Sequence, residues 1–241
     1  MGVFIEETLS WTKHVSYVAN KVRNSISSLY EMRKAIPKIM KKSVYNALVN
    51  SQMSYAIQIW GGYADGDKLK RLFVLQKRAL RNLFGVRRVS KHIKGHTKPI
   101  FNENNILTIY NIYNYMTLLD IGKLLNYPVP QYLCKTLNIN ANITSRTRYK
   151  NRVFVPSFTC NRYQNNFCFL GPKLWNLLSS SPTYCNYATE SKTIQSLKTK
   201  IKQLLLNMQS YQDDTNWIAP NISITSYLAA VKNDPNYVKE S

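Results

Sequence analysis

The sequence predicts a mainly α-helical protein, on three observations. Apolar residues recur at helical spacing in several separate stretches, glycine, proline and Asp-Gly-Asp punctuate the ends of those stretches, and one segment is apolar on more faces than a surface helix can use. With 241 residues, 44% of them hydrophobic, the chain can bury one sizeable core or two small ones.

The first helix is expected over residues 13–32, where Val15, Val18, Ala19, Val22, Ile26 and Leu29 form one stripe and Lys13, Lys21 and Arg23 lie off it. Pro37 suits the first turn of a second helix, whose stripe is read as Ile39, Met40, Val44, Ala47 and Leu48, continuing to Tyr55, Ile59 and Trp60 with an interruption near Asn50 and Ser51. Asp65-Gly66-Asp67 is a turn and cap sequence. After it Leu69, Leu72, Phe73, Gln76, Ala79, Leu80 and Leu83 trace a third helix that ends at Gly85. Residues 86–98 are too basic for a core element and are expected to form an exposed loop leading into Pro99. Residues 106–127 are dense in apolar and tyrosine side chains, which predicts a largely buried helix. Pro128 and Pro130 mark a break, and the polar, basic stretch that follows makes 128–152 a linker. A smaller, partly irregular basic region over 153–209 includes Phe158, Phe167, Phe169, Leu170 and Trp175 and an amphipathic helix bearing Ile194, Leu197, Ile201, Leu204 and Leu205. Residues 210–241 read as a tail.

Charge is concentrated. Residues 68–102 hold eleven cations (Lys68, Lys70, Arg71, Lys77, Arg78, Arg81, Arg87, Arg88, Lys91, Lys94, Lys98) and no acid, and so supply +11 of the formal +21, against +3 before them and +7 after. Lys70, Lys77 and Arg81 fall at spacings of seven and four, and Arg71 and Arg78 are seven apart, so the third helix carries these cations in adjacent rows. Such a surface can run beside a phosphate backbone; the bland alternative is a solvated helix face. Arg146, Arg148, Lys150 and Arg152 make a second cluster, beside which Tyr149 and Tyr163 are candidates for stacking on bases.

Other classes find little support. Cys134, Cys160, Cys168 and Cys185 contain no C-x-x-C pair and, with His14, His92 and His96, lack the spacing of a zinc module; reduced thiols in an intracellular protein, nuclear or cytoplasmic, are expected. No apolar run approaches the ~18 residues that span a bilayer. No glycine-framed nucleophile stands out. Tyr63-Ala64-Asp65-Gly66 and Tyr211-Gln212-Asp213-Asp214 each have the look of a metal-binding Tyr-x-Asp-Asp turn, but neither is framed by β-prone runs.

Gly2-Val3-Phe4-Ile5-Glu6 followed by Leu9-Ser10-Trp11-Thr12-Lys13-His14-Val15 resembles the end of the palm domain in reverse transcriptases of non-LTR (LINE-type, jockey-like) retrotransposons. Tyr45-Asn46-Ala47-Leu48-Val49, Ser54-Tyr55-Ala56-Ile57 and Trp60-Gly61 look like the thumb helices of that family, and Leu75-Gln76-Lys77-Arg78-Ala79-Leu80-Arg81 like its thumb motif. His96-Thr97-Lys98-Pro99-Ile100-Phe101 with Asn105-Ile106-Leu107 resembles the connector, and Asn166-Phe167 with Gly171-Pro172-Lys173-Leu174-Trp175-Asn176-Leu177-Leu178 the C-terminal block. Glu6 stands where the family usually has Asp. The resemblance implies a palm-end remnant over 1–14, a thumb-like helical domain and connector over 15–127, and a fragment of an RNA-directed DNA polymerase without its fingers, catalytic palm and endonuclease. The parent enzyme would use Mg; no cofactor and no polymerase chemistry are expected of this fragment. The expected partner is RNA or DNA, as template-primer duplex or element RNA, held by backbone contacts from Lys68, Lys70, Arg71, Lys77, Arg78, Arg81, Arg87, Arg88, Lys91 and Lys94, with Arg146, Arg148, Lys150 and Arg152 in support. Two alternatives remain: an interaction fragment that docks on an intact polymerase or host partner through exposed surface at Val3, Phe4, Ile5 and Trp11, and a transposon relic without a role.

Overall fold

The computed structural model describes residues 2–63, 66–85, 97–126, 153–157, 166–179 and 193–211. Among them the fold is mainly α-helical, without a strand. No helix among the described residues is long and apolar enough to cross a membrane. The chain divides into two compact units, Met1–Tyr113 and Asn114–Ser241.

In the first unit, α1 (Thr12–Met32) buries the stripe that its periodicity predicts, Val15, Val18, Ala19, Val22, Ile26 and Leu29. His14 is buried with them. Trp11 precedes the helix with φ 60°, a left-handed conformation, and its indole is buried. Ser10 Oγ donates to Glu6 Oε2 at 2.7 Å, and that bond holds the Glu6 carboxyl below its ordinary range.

The second helical stretch is composite. A 3₁₀ turn at Lys38–Met40 leads into α2 (Lys41–Tyr45), a π turn at Asn46–Asn50, and α3 (Ser51–Ser54); after a break comes α4 (Ile57–Trp60). Here the structure corrects the sequence reading. The buried side chains are Tyr45, Val49, Met53, Ile57 and Trp60, whereas Ile39, Met40, Ala47, Tyr55 and Ile59 are exposed. Steps of four residues drift about 40° per turn from one face of an α-helix. The wider π turn takes up part of that drift and keeps the buried set on one side. The interruption falls at Tyr55 and Ala56, where Tyr55 is extended and Ala56 has φ 51°. Trp60 Nε1 donates to the Tyr55 carbonyl at 3.0 Å and so ties the two sides of the break together.

The third helix of the sequence reading is α5 (Gly66–Phe84), which packs along α1 and closes at Gly85 with φ 74°, a left-handed cap that glycine adopts without penalty. The basic stretch ends differently from the expected loop: Lys98 opens a short helix, α6 (Lys98–Glu103), with Pro99 in its first turn and Ile100 and Phe101 buried. Residues 86–96 lie outside the described residues. α7 (Ile109–Asn126) begins under a Thr108 cap, whose Oγ1 accepts from the Asn111 N–H at 3.3 Å. Its burial runs almost all round, from Ile109 to Gly122, as its composition requires.

The second unit packs the later part of α7 with α8 (Phe167–Ser179) and α9 (Ile194–Tyr211). The approaches are close. A methyl group at Gly171 would sit 2.9 Å from the Ile121 side chain, and one at Gly122 would sit 2.8 Å from Leu197 and 3.2 Å from Trp175. Asn176 pins the segment 153–157 to α8, donating to the Val153 carbonyl at 2.6 Å and accepting from its N–H at 2.7 Å. Gly171, Trp175 and Asn176 therefore do packing work in the Gly171-to-Leu178 block. On α9, Leu197, Ile201, Leu204 and Leu205 are buried as expected, while Ile194 is exposed.

His14 gives the fold a pH dependence. The Phe4 N–H donates to His14 Nδ1 at 3.4 Å, which puts the ring proton on the buried Nε2. Burial lowers the His14 pKa from its ordinary value of 6.5, so the unfolded chain takes up the proton first as pH falls. The stability that neutral His14 contributes is complete above pH 6.5 and is lost as pH falls below that through the lowered value. Protonation also turns Nδ1 into a donor facing the Phe4 N–H. The thermal midpoint should drop between about pH 7.5 and about pH 5.5 more in the native chain than in a His14→Gln variant. Equal drops would remove His14 as the cause.

Candidate nucleic-acid interface

The two faces of α5 have opposite chemistry. Leu69, Leu72, Phe73, Leu75, Ala79, Leu80 and Leu83 are buried, and among them lies Gln76, a polar residue with no exposed surface. Its Nε2 donates to Tyr45 Oη and to the Leu107 carbonyl, both at 2.9 Å, and its Oε1 accepts from the Ile109 N–H at 3.0 Å. One amide thus joins α5 to α2 and to the start of α7. It satisfies a backbone donor and a backbone acceptor that burial would otherwise strand. Burial pushes the Tyr45 phenol well above its ordinary value, against the opposing effect of the Gln76 bond. Three bonds in different directions leave α5 little freedom to rotate about its axis.

That fixed rotation decides what faces solvent. Lys70, Arg71, Val74 and Arg78 are exposed, with Lys77 and Arg81 partly buried at the flanks. Among the described residues no carboxylate pairs with Lys70, Arg71, Arg78 or Arg81. The ammonium of Lys77 lies over the Phe73 ring, 4.4 Å from its centroid. From residue 70 to residue 81 the cations extend about 16 Å along the axis. That length matches about five phosphates of one duplex strand.

Lys68 has a different role. Its Nζ donates to the Ser10 carbonyl at 2.8 Å and ties the N-terminal segment to α5. Arg87, Arg88, Lys91, Lys94, Arg146, Arg148, Lys150 and Arg152 lie outside the described residues, as do Tyr149, Tyr163, His92 and His96.

The sequence reading passed over a second group of cations on this unit. Residues 33–42 contain Arg33, Lys34, Lys38, Lys41 and Lys42 and no acid. Counting charge over residues 1–67 hid them, because Glu6, Glu7, Glu31, Asp65 and Asp67 cancel all but +3. A ten-residue window would have found them. The structure brings one of them to α5: Lys41 Nζ lies 5.9 Å from the centroid of the Phe84 ring.

Among the described residues no three His, Cys, Asp or Glu side chains come together as a metal site. Tyr63 follows α4 and Tyr211 ends α9, and the aspartates of both strings lie outside the described residues. Cys168 is partly buried, and burial pushes its thiol up, away from the reactive thiolate.

Fold and surface together define a mainly helical protein that presents a one-sided cationic helix. Over 112 residues it is 25% identical to the probable RNA-directed DNA polymerase from transposon X-element of Drosophila melanogaster, a match that covers 44% of this chain and 12% of that protein. The similarity is weak and reaches a small part of the relative's length. No protein-family model and no solved structure matches the chain.

Proposed function

We propose that this chain is a fragment of a retrotransposon RNA-directed DNA polymerase, corresponding to the thumb and the region after it, and that it binds nucleic acid through α5 without carrying out polymerisation itself. The observation that carries this reading is the outer face of α5, where unneutralised cations share one surface while Gln76 holds the opposite face. Long, flexible side chains on a rigid helix suit phosphates whatever their sequence, so recognition is of backbone and shape. The weak similarity to a transposon polymerase supports the family half of this reading.

The test is binding of the purified chain to a labelled RNA–DNA hybrid over a range of salt concentrations. Replacing Lys70, Lys77, Arg78 and Arg81 by alanine should flatten the plot of log affinity against log salt by roughly one slope unit per lost phosphate contact. An unchanged slope would remove α5 from the interface.

A second reading, docking on an intact polymerase or host protein, rests on the exposed apolar side chains Phe4, Ile5 and Leu9, of which Ile5 is 73% exposed. Trp11, expected on that surface, is buried instead, and Val3 is partly buried. The surface is narrower than the sequence suggested.

A further inference from the structure

Where α1 gives way to the 3₁₀ turn, large apolar side chains stand in solvent: Ile39 is 89% exposed, Met40 56% and Tyr30 53%. Scattered apolar residues on a surface are ordinary, but three so exposed between the last turn of α1 and the 3₁₀ turn are not. The same connection is strongly cationic. Lys34 and Lys38 are exposed, Arg33, Lys41 and Lys42 are partly buried, and among the described residues none of the five is paired with a carboxylate.

The Arg33 guanidinium lies 3.7 Å from the centroid of the Tyr30 ring and donates to the Tyr30 carbonyl. A planar cation is thereby held against an aromatic ring in the last turn of α1. A guanidinium over a ring, exposed apolar tips and neighbouring lysines fit a ligand that is anionic and also offers flat apolar faces. Unpaired nucleotides have both properties, whereas paired bases hide their faces in the stack. An anionic bilayer would satisfy the charge and the apolar tips but makes no use of the flat Arg33–Tyr30 pair. The contact of Lys41 with Phe84 places this turn beside the C-terminal end of α5.

We propose that the α1–α2 connection binds unpaired nucleotides adjoining the duplex carried by α5. This rests on the nucleic-acid reading of α5. The test compares the full chain on a blunt RNA–DNA hybrid and on the same hybrid with a short single-stranded extension containing a fluorescent adenine analogue. The extension should raise affinity by about fivefold or more for each stacked base and should quench the analogue. Two variants, Tyr30→Ala with Arg33→Ala and Ile39→Ser with Met40→Ser, should lose that gain and still bind the blunt hybrid. Because the two variants alter different parts of the connection, a folding defect in one leaves the other to decide.

Blunt-hybrid binding that depends on the α5 cations, with no gain from the extension or with a gain that survives in both variants, would overturn this proposal alone. Failure to bind either probe would overturn it together with the α5 reading. Vesicles of phosphatidylserine and phosphatidylcholine are the third probe: capture that depends on Ile39 and Met40, without a gain from the extension, would assign the turn to a lipid surface instead.

Discussion

Replacing Gln76 by leucine is expected to lower the unfolding free energy by roughly 3–9 kcal/mol, the sum of three buried hydrogen bonds whose partners are each left unsatisfied at about 1–3 kcal/mol. Leucine is close in size to glutamine, so the loss is one of polar satisfaction and not of volume. The stranded groups are Tyr45 Oη, the Leu107 carbonyl and the Ile109 N–H. The effect should appear as a lower urea midpoint by fluorescence or circular dichroism. A midpoint unchanged within error would mean that α5 is not held by this amide. The outer-face variant is the contrast, because surface changes away from such features stay within about 0.5 kcal/mol each. Its unfolding midpoint should therefore move little while its nucleic-acid affinity falls.

Gly61→Ala should destabilise the first unit by about 1–3 kcal/mol, the usual range for forcing atoms into a packed interior. Gly61 has φ −65° and ψ −35°, a helical conformation open to any residue, so its need for glycine is steric and not conformational. A methyl group there would lie 2.6 Å from the Ile57 carbonyl oxygen and 2.6 Å from Tyr113 Cδ2. Without that crowding, alanine in such a conformation would stabilise by about 0.4–1 kcal/mol through the unfolded chain, so the sign of the effect separates the two accounts. Thermal melts of the two proteins side by side supply the measurement. A variant more stable than the native chain would show that Tyr113 moves aside freely.

α1, α5 and α7 were legible in the sequence because each carries a clear signal: one stripe for α1, a stripe closed by Gly85 for α5, and apolar residues on nearly every face for α7. The second helix was not. Two interleaved sets compete there, and the fully apolar Ile39 and Met40 lost to Tyr45, a residue with a polar tip. Tyr45 is buried because Gln76, 31 residues further on, bonds to its hydroxyl, and no local pattern announces such a partner. Gln76 itself could be placed on the buried face but not given its three bonds. The family-like Trp60-Gly61 and Gly171-to-Leu178 motifs were visible as strings, yet their physical content, close approach at Gly61 and Gly171 and the Asn176 clamp, exists only in three dimensions. The cationic face of α5 was the most legible part of the candidate site, since charge and helical period suffice to predict it. Lys68 shows the limit of that reasoning: it shares the composition of its neighbours but bonds to the Ser10 carbonyl.

Nucleic acid bound as proposed, along the outer face of α5, would pass over Val74. Val74 is 53% exposed and sits between Arg71 and Arg78 on that face. A photoreactive benzoylphenylalanine placed at position 74 should crosslink to a labelled RNA–DNA hybrid on irradiation. The yield should fall with added salt and with unlabelled competitor. A chain that still binds the hybrid but gives no crosslink from position 74 would contradict that placement and move the interface off α5.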